Sequence, residues 1–369
     1  SMRWIISLSI LMTGIVASAA YADATLDTEL RLEIQRHGLT GDPATGRLLP
    51  DISDPIAQLG RDLFFSKALG GDKDVACATC HHPVLGGGDG LPLSIGVEAT
   101  SADLLGPGRR HDETSTNFDG GPTVPRNAPT TFNIALWDRV LFHDGRIQSL
   151  SPEVLQNGAG GPIRTPDVAP GVSDGAAGQN LPTAQARFPV TSPEEMRGFA
   201  YADGESNENL RQRLESRLRG TATPSELAIN NWLARFQVAF DELGGSAETL
   251  ITFDNIVFAI SEYERSQVFV NTPWKSYVLG DDEALSEPAK RGALDFLAPR
   301  ERGGAGCAAC HSGDFFTNEG FANIAMPQVG RGKGDDNGLS TSADFGRFRE
   351  SGDLRDRHAF RVPSLLNVQ

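Results

Sequence analysis

A chain of 369 residues is long enough for two domains, each with a core of its own. A formal net charge of −15 and a pI near 4.9 argue against nucleic acid or an anionic membrane surface as partner. The same acidity suits a basic protein partner, and equally an ordinary solvated surface.

Residues 1–22 read as a secretory signal. Met2 and Arg3 form a short basic start, Trp4 to Val16 are mostly apolar, and Ala20-Tyr21-Ala22 fits a cleavage site before Asp23. The apolar run is too short to span a bilayer, so a periplasmic protein without a membrane span is expected. Residues 23–50 are polar and carry little pattern. Asp54-Pro55 is a helix-start signal, followed by Ile56, Leu59 and Leu63 at helical spacing. Phe64-Phe65 then lead into a Gly-rich loop and the motif Cys77-Ala-Thr-Cys80-His81. The motif recurs as Cys307-Ala-Ala-Cys310-His311, and the two copies use all four cysteines, leaving none for a disulfide.

C-x-x-C-H is the attachment sequence of a c-type haem. Both sulfurs form thioethers with the porphyrin vinyls, and the histidine supplies an axial nitrogen to iron. The chain is therefore expected to carry two covalently bound haem c groups, on Cys77, Cys80 and His81 and on Cys307, Cys310 and His311. Structural zinc would bring two C-x-x-C pairs to within about 15–20 residues; here 230 positions separate them. A thiol–disulfide site would want a βαβ frame, which the pattern does not show.

Leu85 to Pro92 is a turn-rich loop without the strand–helix frame of a phosphate cradle. Residues 99–123 and 164–188 are rich in Gly, Pro and Asp and read as long loops rimming a site. From about 206 the pattern is helical. Leu210, Leu214 and Leu218 repeat every four residues until Gly220. Thr223-Pro-Ser-Glu226 reads as a capping box opening a helix with Leu227, Trp232, Phe236 and Phe240 inward. Thr252 caps a helix bearing Phe253, Ile256 and Ile260, and Ser286 another bearing Leu294 and Phe296. No stretch reads as a sheet. The expected fold is mostly α, with two tandem cytochrome c-like haem domains, 23–245 and 246–369, and long irregular loops.

Many segments resemble, in order, the bacterial dihaem cytochrome c peroxidase family, which includes the MauG-type maturation enzymes. They are LGRDLFF, CATCHHPVLGGGDGLPLSIG, RNAPTTFN, DGR, GGPI and Glu194-Glu195-Met196. In the second half they are ITFDNIVFAISEYERS, CAACHSGDFFTNEGFANI, DFGRF and FRVPSLLNV. The resemblance implies two cytochrome c-like domains with haems at their interface. It implies that His81 holds the iron at which hydrogen peroxide binds, and that His311 holds the electron-transfer iron. Glu195 matches the family's distal acid–base carboxylate, which takes a proton from the inner peroxide oxygen and returns it to the outer one. Without that match it would read as a solvated helix-start glutamate. Gln156 matches a glutamine lining the same pocket. Asn127 matches a ligand of a calcium ion, a hard oxygen donor of the right kind, and reads equally as an ordinary turn residue.

Three departures matter. The family's peroxidases carry a distal histidine in a Ser-x-Gly-His context; this chain has Ser94-Ile-Gly-Val97, which leaves the first iron open, as in MauG-type enzymes. His111, on the loop before Asn127, is either a substitute ligand or solvated. The family has Trp before Asp-Gly-Arg; this chain has His143, expected to bridge by hydrogen bonding, with Trp137 in the core. The chain stops at Gln369, where the family continues with further calcium ligands and the second haem's sixth ligand, Met in peroxidases and Tyr in MauG-type enzymes. The second domain therefore reads as truncated. The leading expectation is a periplasmic peroxidase drawing electrons from a small soluble donor such as cytochrome c, as monomer or homodimer. The second is a MauG-type enzyme oxidising Trp or Tyr side chains of a partner protein. The third is a non-catalytic electron carrier with both irons six-coordinate.

Overall fold

The computed structural model describes residues 25–328 and 343–368. The expected signal segment, 1–22, lies outside them. The elements are a helix through residues 25–36 (α1), α2 (Pro55–Phe64), α3 (Cys77–Cys80), β1 (Val140–Leu141), β2 (Ile147–Ser149) and β3 (Ile163–Arg164). Next come α4 (Leu181–Ala186), α5 (Asn207–Arg219), α6 (Trp232–Ala239), α7 (Ala247–Leu250), α8 (Phe253–Arg265), α9 (Pro273–Val278) and α10 (Glu287–Leu297). The last are β4 (Phe321–Ala322), α11 (Phe348–Ser351) and β5 (Phe360–Arg361). Among the described residues no helix is long and apolar enough to cross a membrane.

The chain forms two compact units. Of the described residues, one comprises 46–268, 321–328 and 343–361; the other comprises 25–45, 269–320 and 362–368. This division differs from a cut at 245/246, because α8 packs along α2 and so belongs with the first haem motif. Each unit carries one C-x-x-C-H motif.

In the larger unit α2 presents Leu59, Leu63 and Phe64 to Phe253, Ile256 and Ile260 of α8. The two backbones touch at Gly60, where a Cβ would lie 1.8 Å from the carbonyl oxygen of Ala259. Thr252 caps α8 as expected, its Oγ1 accepting from Asn255 N at 3.1 Å. α5 buries Leu210, Leu214 and Leu218 and ends at Gly220, whose φ of +77° suits glycine. Its Arg217 is buried and donates to the carbonyls of Ala68, Gly70 and Gly71 at 2.9, 2.5 and 2.9 Å. Those carbonyls belong to the segment that leads into Cys77.

Three expectations are corrected. No helix starts at the Thr223 capping box: Glu226 turns to Arg217 instead, and α6 begins only at Trp232. The 164–188 stretch is not all loop, since Asn180 Oδ1 accepts from Thr183 N at 2.9 Å and starts α4. Two small antiparallel sheets are present, β1–β2–β3 and β4–β5. Their strands are two or three residues long, too short for alternation to show in the sequence.

The smaller unit packs Leu30 and Ile34 of α1 against Tyr277, Leu297 and Ala308. Tyr277 Oη donates to Asp27 Oδ1 at 2.7 Å, and Lys290 Nζ reaches Asp27 Oδ2 at 3.0 Å.

Candidate active site in the larger unit

The first motif occupies one helical turn, α3. Thr79 Oγ1 accepts from Ala76 N at 3.0 Å, and His81 closes the turn with its N–H on Cys77 O at 3.0 Å. The His81 ring engages Gly87 O through Nδ1 at 3.2 Å. That bond makes Nδ1 the N–H donor and leaves Nε2 as the lone-pair nitrogen an iron needs. Burial also lowers the pKa of His81, which keeps the ring neutral. The second motif repeats the arrangement in the smaller unit: His311 Nδ1 meets Phe316 O at 3.2 Å and Pro363 O at 3.1 Å. Both histidines thus set Nδ1 against a backbone carbonyl. Burial pushes the Cys80 thiol up to about 12 and Cys77 higher still. Neither is the low-pKa thiolate of an exchange site.

A cavity of about 750 Å³ opens beside this motif, within the size range of cofactor sites. Cys77, Cys80 and His81 share its lining with Glu195, His143 and Arg146. The first long loop rims it through Asn117 and Asp119 to Pro122; from the second stretch come Pro166, Phe188 and, on α4, Gln185 and Ala186. A haem on Cys77 and Cys80 fits this donor set and this volume.

Glu195 sits on the tight turn Pro193–Arg197, started by Ser192, whose Oγ accepts from Glu195 N at 3.3 Å. Glycines clasp the turn from two sides. A Cβ on Gly96 would lie 2.2 Å from Glu194 O, and one on Gly71 1.7 Å from Arg197 O. Val97 N donates to Glu194 O at 3.3 Å and Gly71 N to Met196 O at 2.8 Å. Buried Arg109 fixes the Gly96 strand, donating to Ile95 O at 2.8 Å and Gly96 O at 2.7 Å. Glu194 bonds Ser192 Oγ at 3.1 Å, which leaves Glu195 as the carboxylate nearer Arg146, 3.8 Å away.

The β1–β2 turn supplies the cation Arg146. Phe142 adopts φ +63°, unusual for a large side chain, and its ring lies 3.6 Å beneath the Arg146 guanidinium. Asp144 is fully buried. His143 Nε2 donates to Asn127 O at 3.1 Å; burial and then the Arg361 charge push the ring down to about 4, so it is neutral. Trp137 is in the core as expected, with Arg361 stacked 3.5 Å above it.

Other expected residues fall elsewhere. Gln156 is exposed and outside the cavity lining, because its turn sends Asn157 inward to donate to Ile134 O and Trp137 O at 3.2 and 2.6 Å. The glutamine that lines the cavity is Gln185. Asn127 lines it too, its amide donating to Leu91 O at 2.7 Å. Among the described residues no three His, Cys, Asp or Glu side chains converge as a metal site. Val97 is buried in the core. His111 is not solvated: it is buried and lines the cavity, with Nδ1 3.1 Å from Gly121 O and Nε2 3.4 Å from Glu98 Oε2. Glu264, 3% exposed on α8, was not anticipated, though it follows Ile256 and Ile260 at helical spacing.

Residues 54–283, more than half the chain, match the sequence model of the di-haem cytochrome c peroxidase family. The chain belongs to that family. Membership makes it an oxidoreductase of the peroxidase type. It is 28% identical over 357 residues to the methylamine utilization protein MauG of Methylorubrum extorquens, covering 96% of this chain and 72% of that one. It is 26% identical over 317 residues to the cytochrome c551 peroxidase of Pseudomonas aeruginosa, covering 86% of this chain and 66% of that one. Among solved structures it shares the fold of a MauG-like protein associated with microbial copper homeostasis (TM-score 0.53, 21% identity, 87% and 73% covered). It also shares that of the diheme peroxidase BthA from Burkholderia thailandensis (TM-score 0.52, 19% identity, 88% and 68% covered). Membership of the di-haem peroxidase family implies two haem cofactors.

Proposed function

We propose that this chain is a periplasmic dihaem c-type peroxidase that reduces hydrogen peroxide with electrons from a small soluble donor such as cytochrome c. The observation that carries the reading is one cavity lined by Cys77, Cys80 and His81 together with the Glu195 carboxylate. Cys77, Cys80 and His81 would hold the first haem c, and Cys307, Cys310 and His311 the second. The haem iron, when bound, supplies the site for peroxide and the change of oxidation state. Glu195 accepts the proton of the inner peroxide oxygen and delivers it to the outer one, so that water leaves. Two donor electrons and two protons complete the conversion of one peroxide to two waters. We assign His143, where the family carries Trp, to the electron path. Calcium at Asn127 enters no step.

The test supplies the two-haem protein with reduced donor cytochrome and peroxide. Donor oxidation that depends on peroxide is expected; its absence would refute the reading.

A second reading, oxidation of Trp or Tyr side chains of a partner protein, is favoured by buried Val97, where the family's peroxidases have histidine. A peroxide-dependent mass change in such a partner, without donor oxidation, would replace the first reading by this one. A resting ferric spectrum with no high-spin haem would leave only an electron carrier.

A further inference from the structure

Five charged side chains of the larger unit alternate in sign and end at the cavity. Arg126 grips Asp344 with two nitrogens, each at 2.7 Å, and Asp144 Oδ2 with Nη1 at 2.5 Å. Asp144 Oδ2 is also 3.3 Å from Arg146 Nη1, and Asp144 Oδ1 accepts from Arg146 N at 3.1 Å. Arg146 then points its other nitrogen at Glu195 Oε1, 3.8 Å away. The order is Asp344, Arg126, Asp144, Arg146, Glu195. The Arg146 backbone is held as well, its carbonyl accepting from Arg164 Nη1 at 3.2 Å. Its guanidinium plane is set by the Phe142 ring, and the turn is locked at Gly145, where a Cβ would lie 2.4 Å from the Phe321 ring.

A guanidinium fixed on one face by an aromatic ring and on one edge by a buried carboxylate can offer only its remaining edge. We propose that Arg146 is the positioning residue for Glu195: it aims the carboxylate into the cavity and holds it in the ionised form that accepts the peroxide proton. Asp144 and Phe142 in turn position Arg146. The inference rests on the peroxidase reading and names what sets its proton-transfer group. Besides Cys77, Cys80 and His81 of the motif, the other charged or titratable side chains lining the cavity are Arg126, His143, His111, Asp119, Glu194, Glu264 and Arg349. His143 is neutral, Arg126 is committed to two carboxylates, and Glu194 bonds Ser192. Arg146 brings a guanidinium nitrogen to 3.8 Å from Glu195 Oε1.

The sign follows. A cation beside a carboxylate stabilises its ionised form, so its removal makes the carboxylate harder to ionise. The rate of peroxide reaction falls on the acid side as Glu195 takes up a proton. In Arg146→Gln that acid limb should move to higher pH by about one unit, and the rate at pH 6 should fall roughly tenfold. Arg146→Lys, which keeps the charge, should restore most of the limb position. Phe142→Leu, which loosens the guanidinium without removing a charge, should shift the limb in the same direction by less. Cyanide binding to the ferric two-haem protein, read from its Soret band, provides a second measure. Hydrogen cyanide must lose a proton on binding, so its association should slow with the same pH dependence.

An unchanged limb and unchanged cyanide association in a variant that retains two haems would overturn the proposal. If Arg146→Gln loses haem, the Phe142→Leu limb decides by the same criterion. Glu195→Gln separates the two levels. If Glu195→Gln keeps full peroxide reactivity, the peroxidase reading of Glu195 fails; if it is inactive while Arg146→Gln behaves as wild type, only the positioning role fails.

Discussion

Glu264 lies buried on α8 and lines the cavity, with Oε2 lacking a hydrogen-bond partner, and burial pushes its carboxyl up to about 8. An unfolded glutamate ionises near pH 4. Between that value and about 8 the folded chain holds a proton that the unfolded chain has released. The stability this group allows is therefore intact below pH 4 to 5 and is lost progressively as pH rises to 8. Glu264→Gln cannot ionise, so its advantage over the wild type should be small at pH 5 and grow toward pH 8.5, to roughly 5 kcal/mol at most. Thermal melts across that range check this; a constant difference would show that Glu264 does not change protonation on folding. At Gly96 the constraint is steric. Gly96→Ala should push the Glu194–Glu195 turn out of place and cost about 1–3 kcal/mol. A lower melting temperature together with slower peroxide reaction is expected, and a lower melting temperature alone would detach the turn from the chemistry.

At the scale of elements, α2 and α8 frame the first haem motif, and their closest approach is Gly60 against Ala259. Gly60→Ala forces the helices apart and should lower the melting temperature of the larger unit by about 5 °C or more, as expected of a loss near 2 kcal/mol. Arg217→Met leaves the carbonyls of Ala68, Gly70 and Gly71 without their donor and should cost a similar amount. Amide exchange should then rise in residues 67–76 before it rises in α8. These helices were legible because their apolar residues recur at helical spacing over three turns: Leu59 with Leu63, Leu210 with Leu214 and Leu218, Ile256 with Ile260. The Thr223 box was not, because a local capping pattern competes with a distant buried arginine that the sequence does not reveal. The short strands and the 142–146 turn were not legible either. A turn that sets Arg146 by stacking on Phe142 and pairing with Asp144 is a matter of contacts, and spacing alone does not report it. The two C-x-x-C-H motifs were legible because their residue types and fixed spacing stand in the sequence itself. Gln156 was misplaced because adjacent residues in a tight turn face opposite ways, and Asn157 took the inner place.

For the molecule as a whole, each compact unit carries its own motif, and in each the histidine Nδ1 meets backbone carbonyls. The two attachment sites should then be separable. Replacing Cys307 and Cys310 by Ala should leave one haem per chain by pyridine haemochrome analysis, attached at Cys77 and Cys80. Loss of both haems would mean that the larger unit cannot mature alone. The central claim is that a proton passes through Glu195 in the cavity beside the His81 haem site. Peroxide-dependent oxidation of reduced soluble cytochrome c, measured side by side for the two-haem wild type and for Glu195→Gln, tests it most directly. The wild type should turn over, and the variant should be slower by roughly a hundredfold while keeping both haems. Equal rates for the two proteins would contradict the account.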